Sequence, residues 1–139
     1  MPIEDLARSE VVTADPNATV AELAQTMDEQ AVGSIVITDG NEPVGIVTDR
    51  DLTIRVLGEE TDPSSLAANG VMSENLYTID RGDGFYQAAE LMSEHGIRRL
   101  PVCDDDELVG IITADDFTEL LADEQHQLAN VIRAQRPPY

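Results

Sequence analysis

The chain has 139 residues, 42% of them hydrophobic, enough for one domain with a buried core. Eight basic residues stand against 28 acidic ones, a formal charge of −20, which argues against binding bare nucleic acid or an anionic membrane. No apolar run approaches a membrane span and no signal peptide is apparent, so a cytoplasmic protein is expected. The single cysteine, Cys103, has no partner for an internal disulfide.

All eight basic residues are arginine; lysine is absent. Carboxylates hold hydrated cations, whereas the long apolar stem of lysine promotes association once salt screens its charge. A lysine-free, acid-rich surface points to a salt-rich cytoplasm, that of a halophile, although acidity also serves plain solubility.

In chain order, Val11-Val12 reads as a short β segment. Thr19-x-x-Glu22 is a capping box opening a helix whose stripe is Val20, Leu23, Ala24 and Met27. An apolar strand, Ile35-Val36-Ile37, an acidic turn and a second strand from Pro43 to Val47 form a hairpin. A helix then starts at Thr48. After Pro63-Ser64, a short helix is expected near Leu66 to Met72. The same order follows again: Leu76-Tyr77-Thr78; a helix with Phe85, Ala88, Ala89 and Met92, Gly84 replacing the capping threonine; strands Leu100 to Cys103 and Leu108 to Ile112; a helix from Thr113. A helical stretch from Asp123 to Arg133 precedes Pro137-Pro138.

The recurrence is a true internal repeat. A gapless shift of 65 residues lays 12–57 on 77–122 with 13 of 46 positions identical, including Gly45/Gly110, Thr48/Thr113 and Asp51/Asp116. The expected fold is α/β (α+β): two β-α-β-β-α units packed with pseudo-twofold symmetry, giving two small sheets flanked by helices. The units are placed at 8–58 and 76–122, with a linker over 59–75 and a helical tail over 123–139.

Chemistry concentrates in the duplicated Gly-h-h-Thr-x-x-Asp, h being apolar, where a strand runs into a helix. Thr48 with Asp51, and Thr113 with Asp116, suit the N-cap and N3 positions of a capping pair. A carboxylate placed there also has the acceptors to grip both hydroxyls of a ribose. Spacing leaves the two readings open. Gly45 and Gly110 mark strand positions that another group approaches closely. The acidic turn Asp104-Asp105-Asp106-Glu107 reads as solvated, and neither His95 nor His126 has a metal-ligand neighbour at suitable spacing. No metal site, nucleophilic triad, P-loop or dinucleotide fingerprint is found.

The two units resemble a pair of CBS domains, the tandem called a Bateman module. The resemblance rests on Val44 to Leu52, on Val71-Met72-Ser73 and on His95 to Val102. It implies a non-catalytic regulatory module with no required cofactor. Such a module binds an adenosine-containing ligand (AMP, ADP, ATP or S-adenosylmethionine) in clefts between the repeats, forms a homodimer and acts on a separate protein. One cleft would join Ile111, Thr113 and Asp116 to Thr13, Ala14, Val32 and Gly33, with Arg98 and Arg99 meeting phosphate. The other would join Ile46, Thr48 and Asp51 to Thr78, Ile79 and Ile97. Gly33 and Ser34 replace the arginines in the first hairpin, so nucleotides are expected to prefer the Asp116 cleft. The alternative is a dimerisation scaffold with vestigial clefts. Homodimerisation would use Leu52, Val56, Leu57, Phe117, Leu120 and Leu121, unless the tail folds back over them.

Self-repulsion at this charge is relieved by screening. Thermal melts should therefore shift upward with KCl through the molar range; a melting temperature that is flat or falling would refute the halophilic reading.

Overall fold

The computed structural model describes residues 1–73 and 75–138. Two three-stranded sheets form, each from one half of the chain. In the first, β1 (Thr13–Ala14) runs parallel to β2 (Ser34–Asp39), which pairs antiparallel with β3 (Glu42–Thr48). In the second, β4 (Ile79–Asp80), β5 (Arg99–Asp104) and β6 (Glu107–Thr113) repeat that arrangement. Helices α1 (Val20–Gln30) and α3 (Phe85–His95) cross from the opening strand to the hairpin in each half. The register shifts fall at Ile37/Thr38 and Val102/Cys103, positions related by the same 65 residues.

The opening β segments lie later than the apolar pairs suggested. Thr13–Ala14 and Ile79–Asp80 are the paired residues, while Val11-Val12 and Leu76-Tyr77-Thr78 precede them outside the strands. Val12 still contributes its carbonyl, which accepts from the Val36 N–H at 3.0 Å.

Helix caps follow the local chemistry. Thr19 accepts from the Glu22 N–H at 3.2 Å, and Glu22 accepts from the Thr19 N–H at 3.1 Å. In the second half Gln87 does the same for the Gly84 N–H at 2.6 Å. Past Thr48 the chain makes α2 (Asp49–Asp51) and then a π-helical turn over Leu52–Leu57, with the Gly58 N–H bonded to the Thr53 carbonyl at 2.8 Å. Past Thr113, α4 (Ala114–Gln135) runs 22 residues without interruption. The C-terminal stretch is the second half of this helix and does not fold back as a separate one. No helix among the described residues is long and apolar enough to cross a membrane.

Each half has its own core, and each core borrows from elsewhere in the chain. Val20, Leu23, Ile35, Ile37 and Val47 are joined by Ala68 and Val71. Ile79, Ala88, Leu100, Val102 and Ile112 are joined by Ile3 from the N-terminus. The two borrowed segments are related by the repeat. Ile3 and Glu4 donate to the carbonyls of Asp83 and Arg81, as Ala68 and Asn69 donate to those of Ala18 and Pro16. Each segment makes a 3-10 turn, Ile3–Asp5 and Ala68–Gly70, the latter standing where a short helix is expected near Leu66 to Met72.

Ile3 is fully buried, and truncating such a side chain costs about 2–5 kcal/mol. Ile3→Ala should lower stability by an amount in that range, read as a shift in denaturation midpoint at constant slope. A loss comparable to that of an exposed residue would show that the segment is not part of the core.

Candidate functional site

At the two strand-to-helix junctions the duplicated motif is a capping box. Thr48 Oγ1 accepts from the Asp51 N–H at 3.2 Å, and Asp51 Oδ2 accepts from the Thr48 N–H at 2.9 Å. Thr113 and Asp116 repeat this at 3.3 and 2.8 Å, and the Thr113 hydroxyl also donates to Asp116 Oδ2 at 3.1 Å. Capping uses one oxygen of each carboxylate, so it does not preclude a ligand on the other. The two motifs differ at that second oxygen. Asp116 Oδ1 accepts from Arg8 Nε at 3.2 Å and Nη2 at 3.0 Å, whereas among the described residues Asp51 Oδ1 has Arg55 Nε at 4.0 Å.

The glycines before these motifs admit the borrowed segments. A Cβ on Gly110 would stand 2.9 Å from the Arg8 carbonyl oxygen, and one on Gly45 would collide with the Met72 side chain. Arg8 exchanges both backbone hydrogen bonds with Ile111, at 3.0 Å each, and the Ser73 N–H reaches the Ile46 carbonyl at 3.2 Å.

A cavity of about 350 Å³ opens between the halves at the Thr113 junction. Of the residues expected there, Val32, Gly33, Arg99, Ile111 and Thr113 line it. Thr13, Ala14 and Arg98 do not. Thr13 and Ala14 form β1, and Arg98 turns outward to Asp115, its Nη2 3.1 Å from Oδ1. Asp116 sits behind Arg8 with only 9% of its side chain exposed. Arg8, Glu10, Val11, Val12 and Asp115 also line it, with Ala31, Ser34 and Val36, and are not evident from the motif. Their signal was faint: the 65-residue shift, carried past its identical positions, lays Arg8 on Ser73.

Gly33, which stands where the second repeat has Arg98, lies between Asp49 and Arg99. Arg99 Nη2 would lie 3.6 Å from a Cβ on Gly33, and Asp49 Oδ2 would lie 3.2 Å from the same atom. Position 33 carries no side chain where a guanidinium arrives from the other half.

Residues expected in the second cleft are spread more widely. Thr48 and Asp51 cap α2, Ile46 supplies the carbonyl used by Ser73, and Ile79 and Ile97 belong to the second core. Thr78 lies beside Cys103. Burial is the main cause that pushes the Cys103 thiol above its ordinary range; Thr78 opposes it, and Asp106, Asp80 and Glu42 add to it. His95 stacks on Tyr77 with ring centroids 3.8 Å apart.

The family model described as "CBS domain" matches residues 3–58 and 68–123, the second match beginning at the borrowed segment. The chain belongs to the CBS-domain family. Protein MK0525 of Methanopyrus kandleri is 38% identical over 120 residues, 85% of this chain, and this chain spans 61% of that protein's length. The CBS-domain pair of protein MJ0100, solved with 5′-methylthioadenosine and S-adenosyl-L-methionine, superposes with a TM-score of 0.80 at 25% identity, covering 89% of this chain and 98% of that one. The CBS-domain protein PAE2072 of Pyrobaculum aerophilum, solved with AMP, gives 0.76 at 28% identity over 84% and 89%.

Proposed function

We propose that this CBS-domain pair is a non-catalytic sensor that takes an adenosine-containing ligand into the cavity between its halves. The observation that carries this reading is the convergence there of apolar walls, Val32 and Ile111, with the capping Thr113 and two guanidinium groups, Arg8 and Arg99. Apolar surface suits a purine, and planar guanidinium groups suit phosphate. The AMP, methylthioadenosine and S-adenosylmethionine held by the similar pairs named above support the same ligand class. A ligand seated against Val32-Gly33 and Ile111-Thr113 would bridge the two halves, and a separate protein would read the resulting change of shape.

The scaffold reading has one observation in its favour: Asp116 already has partners on both oxygens. A ligand panel separates the two. Thermal shift in molar KCl with AMP, ADP, ATP, S-adenosylmethionine and NAD should show stabilisation of about 2.7 kcal/mol at a hundredfold excess over Kd. Asp116→Asn should remove most of the nucleotide response and Asp51→Asn less. No response to any ligand would favour the scaffold, and the opposite order of the two variants would move the site to the other cleft.

The module also pairs with a second copy of itself. Val56 and Phe117 are buried within their own halves, which removes them from the surface expected to dimerise. Leu121, Leu128 and Ile132 recur at helical spacing along the exposed side of α4, with Ile54 and Leu57 exposed on the π-helical turn. Burying this apolar surface against its counterpart is the driving force proposed. Light scattering in molar salt should give twice the 15.1 kDa of one chain, and Leu128→Glu with Ile132→Glu should return it to one; a monomeric wild-type protein would refute the pairing.

A further inference from the structure

We infer that Arg8 makes the Asp116 cleft selective for 5′-phosphorylated adenosine over adenosine compounds that are neutral or cationic at that end, an inference that rests on the adenosine reading above. Asp116 has no acceptor position left for a ribose. Thr113 fills Oδ2 through its N–H and hydroxyl, and Arg8 fills Oδ1 through Nε and Nη2. Any ligand that uses this carboxylate must displace Arg8.

The displacement is confined to a side chain. The Arg8 backbone is held to Ile111 by bonds in both directions, while 63% of its side chain is exposed. Water reaches the guanidinium but hardly the carboxylate, so the pair is screened from the Arg8 side and Arg8 is held in place without being enclosed. Arg8 and Arg99 line the same cavity, with Glu10 and Asp115 as its acidic members. Asp115 is engaged with Arg98, 3.1 Å away.

A phosphate therefore returns to Arg8 what the ribose takes from it, since its oxygens accept from Nε and Nη2 as Asp116 Oδ1 had, and can do so as a bidentate pair. Neutral adenosine displaces the guanidinium and gives nothing back. A sulfonium or ammonium group adds like charge beside Arg8 and Arg99. The other cleft lacks this device. Ser73, the counterpart of Arg8, makes the equivalent backbone bond to Ile46 but has no charged side chain, and among the described residues Asp51 Oδ1 has Arg55 Nε at 4.0 Å as its charged neighbour.

Titration calorimetry of AMP and of adenosine into the full chain, at one KCl concentration, tests this with wild type, Arg8→Gln and Arg8→Lys. Arg8→Gln should bind AMP more weakly and adenosine more tightly, lowering the AMP-to-adenosine affinity ratio about tenfold or more. Arg8→Lys should fall between. A purely structural role would weaken both ligands together and leave the ratio unchanged, which would overturn the inference while leaving the adenosine reading intact. Wild-type protein that binds neither ligand would overturn the adenosine reading itself, and this inference with it.

Discussion

The exchange of leading segments between the halves is the constraint on which the rest of this molecule depends. A β-α-β-β-α unit of about fifty residues buries too little apolar surface to be stable alone. Here neither core is closed by its own unit. Ile3 completes the second core from the far end of the chain, and Ala68 and Val71 complete the first from the connection between the units. Packing against a neighbour could be undone by a rotation of one half; an exchanged segment could not, because its backbone hydrogen bonds run to the other half at both ends of the 3-10 turn. Ile3 and Glu4 bond to Asp83 and Arg81, and four residues on Arg8 pairs with Ile111.

The same exchange builds the cavity. The N-terminal segment passes over β6 where Gly110 has no side chain, so its backbone lies within van der Waals distance of the strand. That approach carries Arg8 to the carboxylate of Asp116 and sets Glu10 to Val12 along the cavity wall. Core packing and cleft chemistry are thus two consequences of one chain path. A residue at 110 with a Cβ would push against a carbonyl rather than a flexible side chain, and the displaced segment would take Ile3 and Arg8 with it.

Much of this was legible in the sequence, and the exceptions have a common cause. The α/β repeat, the hairpins, the capping threonines and aspartates and the special role of Gly45 and Gly110 were readable because each rests on local spacing. The opening strands lie two and three residues later than apolar Val11-Val12 and Leu76-Tyr77-Thr78 suggest, because hydrogen bonding selects Thr13–Ala14 and Ile79–Asp80. The exchanged segments were not legible. Ile3 to Arg8 and Ala68 to Ser73 share no identical position in register, and their equivalence lies in backbone bonds, to which sequence is blind. Arg8 went unnoticed as a cleft residue for the same reason. Phe117 was misread as surface because the helical stripe does not tell which side meets the sheet; its edge-on contact with Phe85, centroids 4.6 Å apart, places it inside.

Comparing the repeats position by position separates what the frame requires from what the cleft requires. The identical pairs Gly45/Gly110, Thr48/Thr113 and Asp51/Asp116 serve close approach and helix capping, needs that both halves share. The unlike pairs Ser73/Arg8, Gly33/Arg98 and Ser34/Arg99 place three of the eight arginines near the Asp116 junction, whereas the Asp51 junction has Arg50 and Arg55 on its own helical turn. In a chain of net charge −20, Arg8 and Arg99 share the cavity lining with Glu10 and Asp115, and Arg8 and Arg98 are paired with Asp116 and Asp115, so the charges there are balanced locally. Screening decides which charges a ligand meets. At molar salt the Debye length falls to about 3 Å, so distant carboxylates fade while groups at hydrogen-bond distance keep their full influence. A strongly acidic protein can then let an anion meet individual guanidinium groups, and under the function proposed above the asymmetry between otherwise equivalent repeats is what a ligand would read.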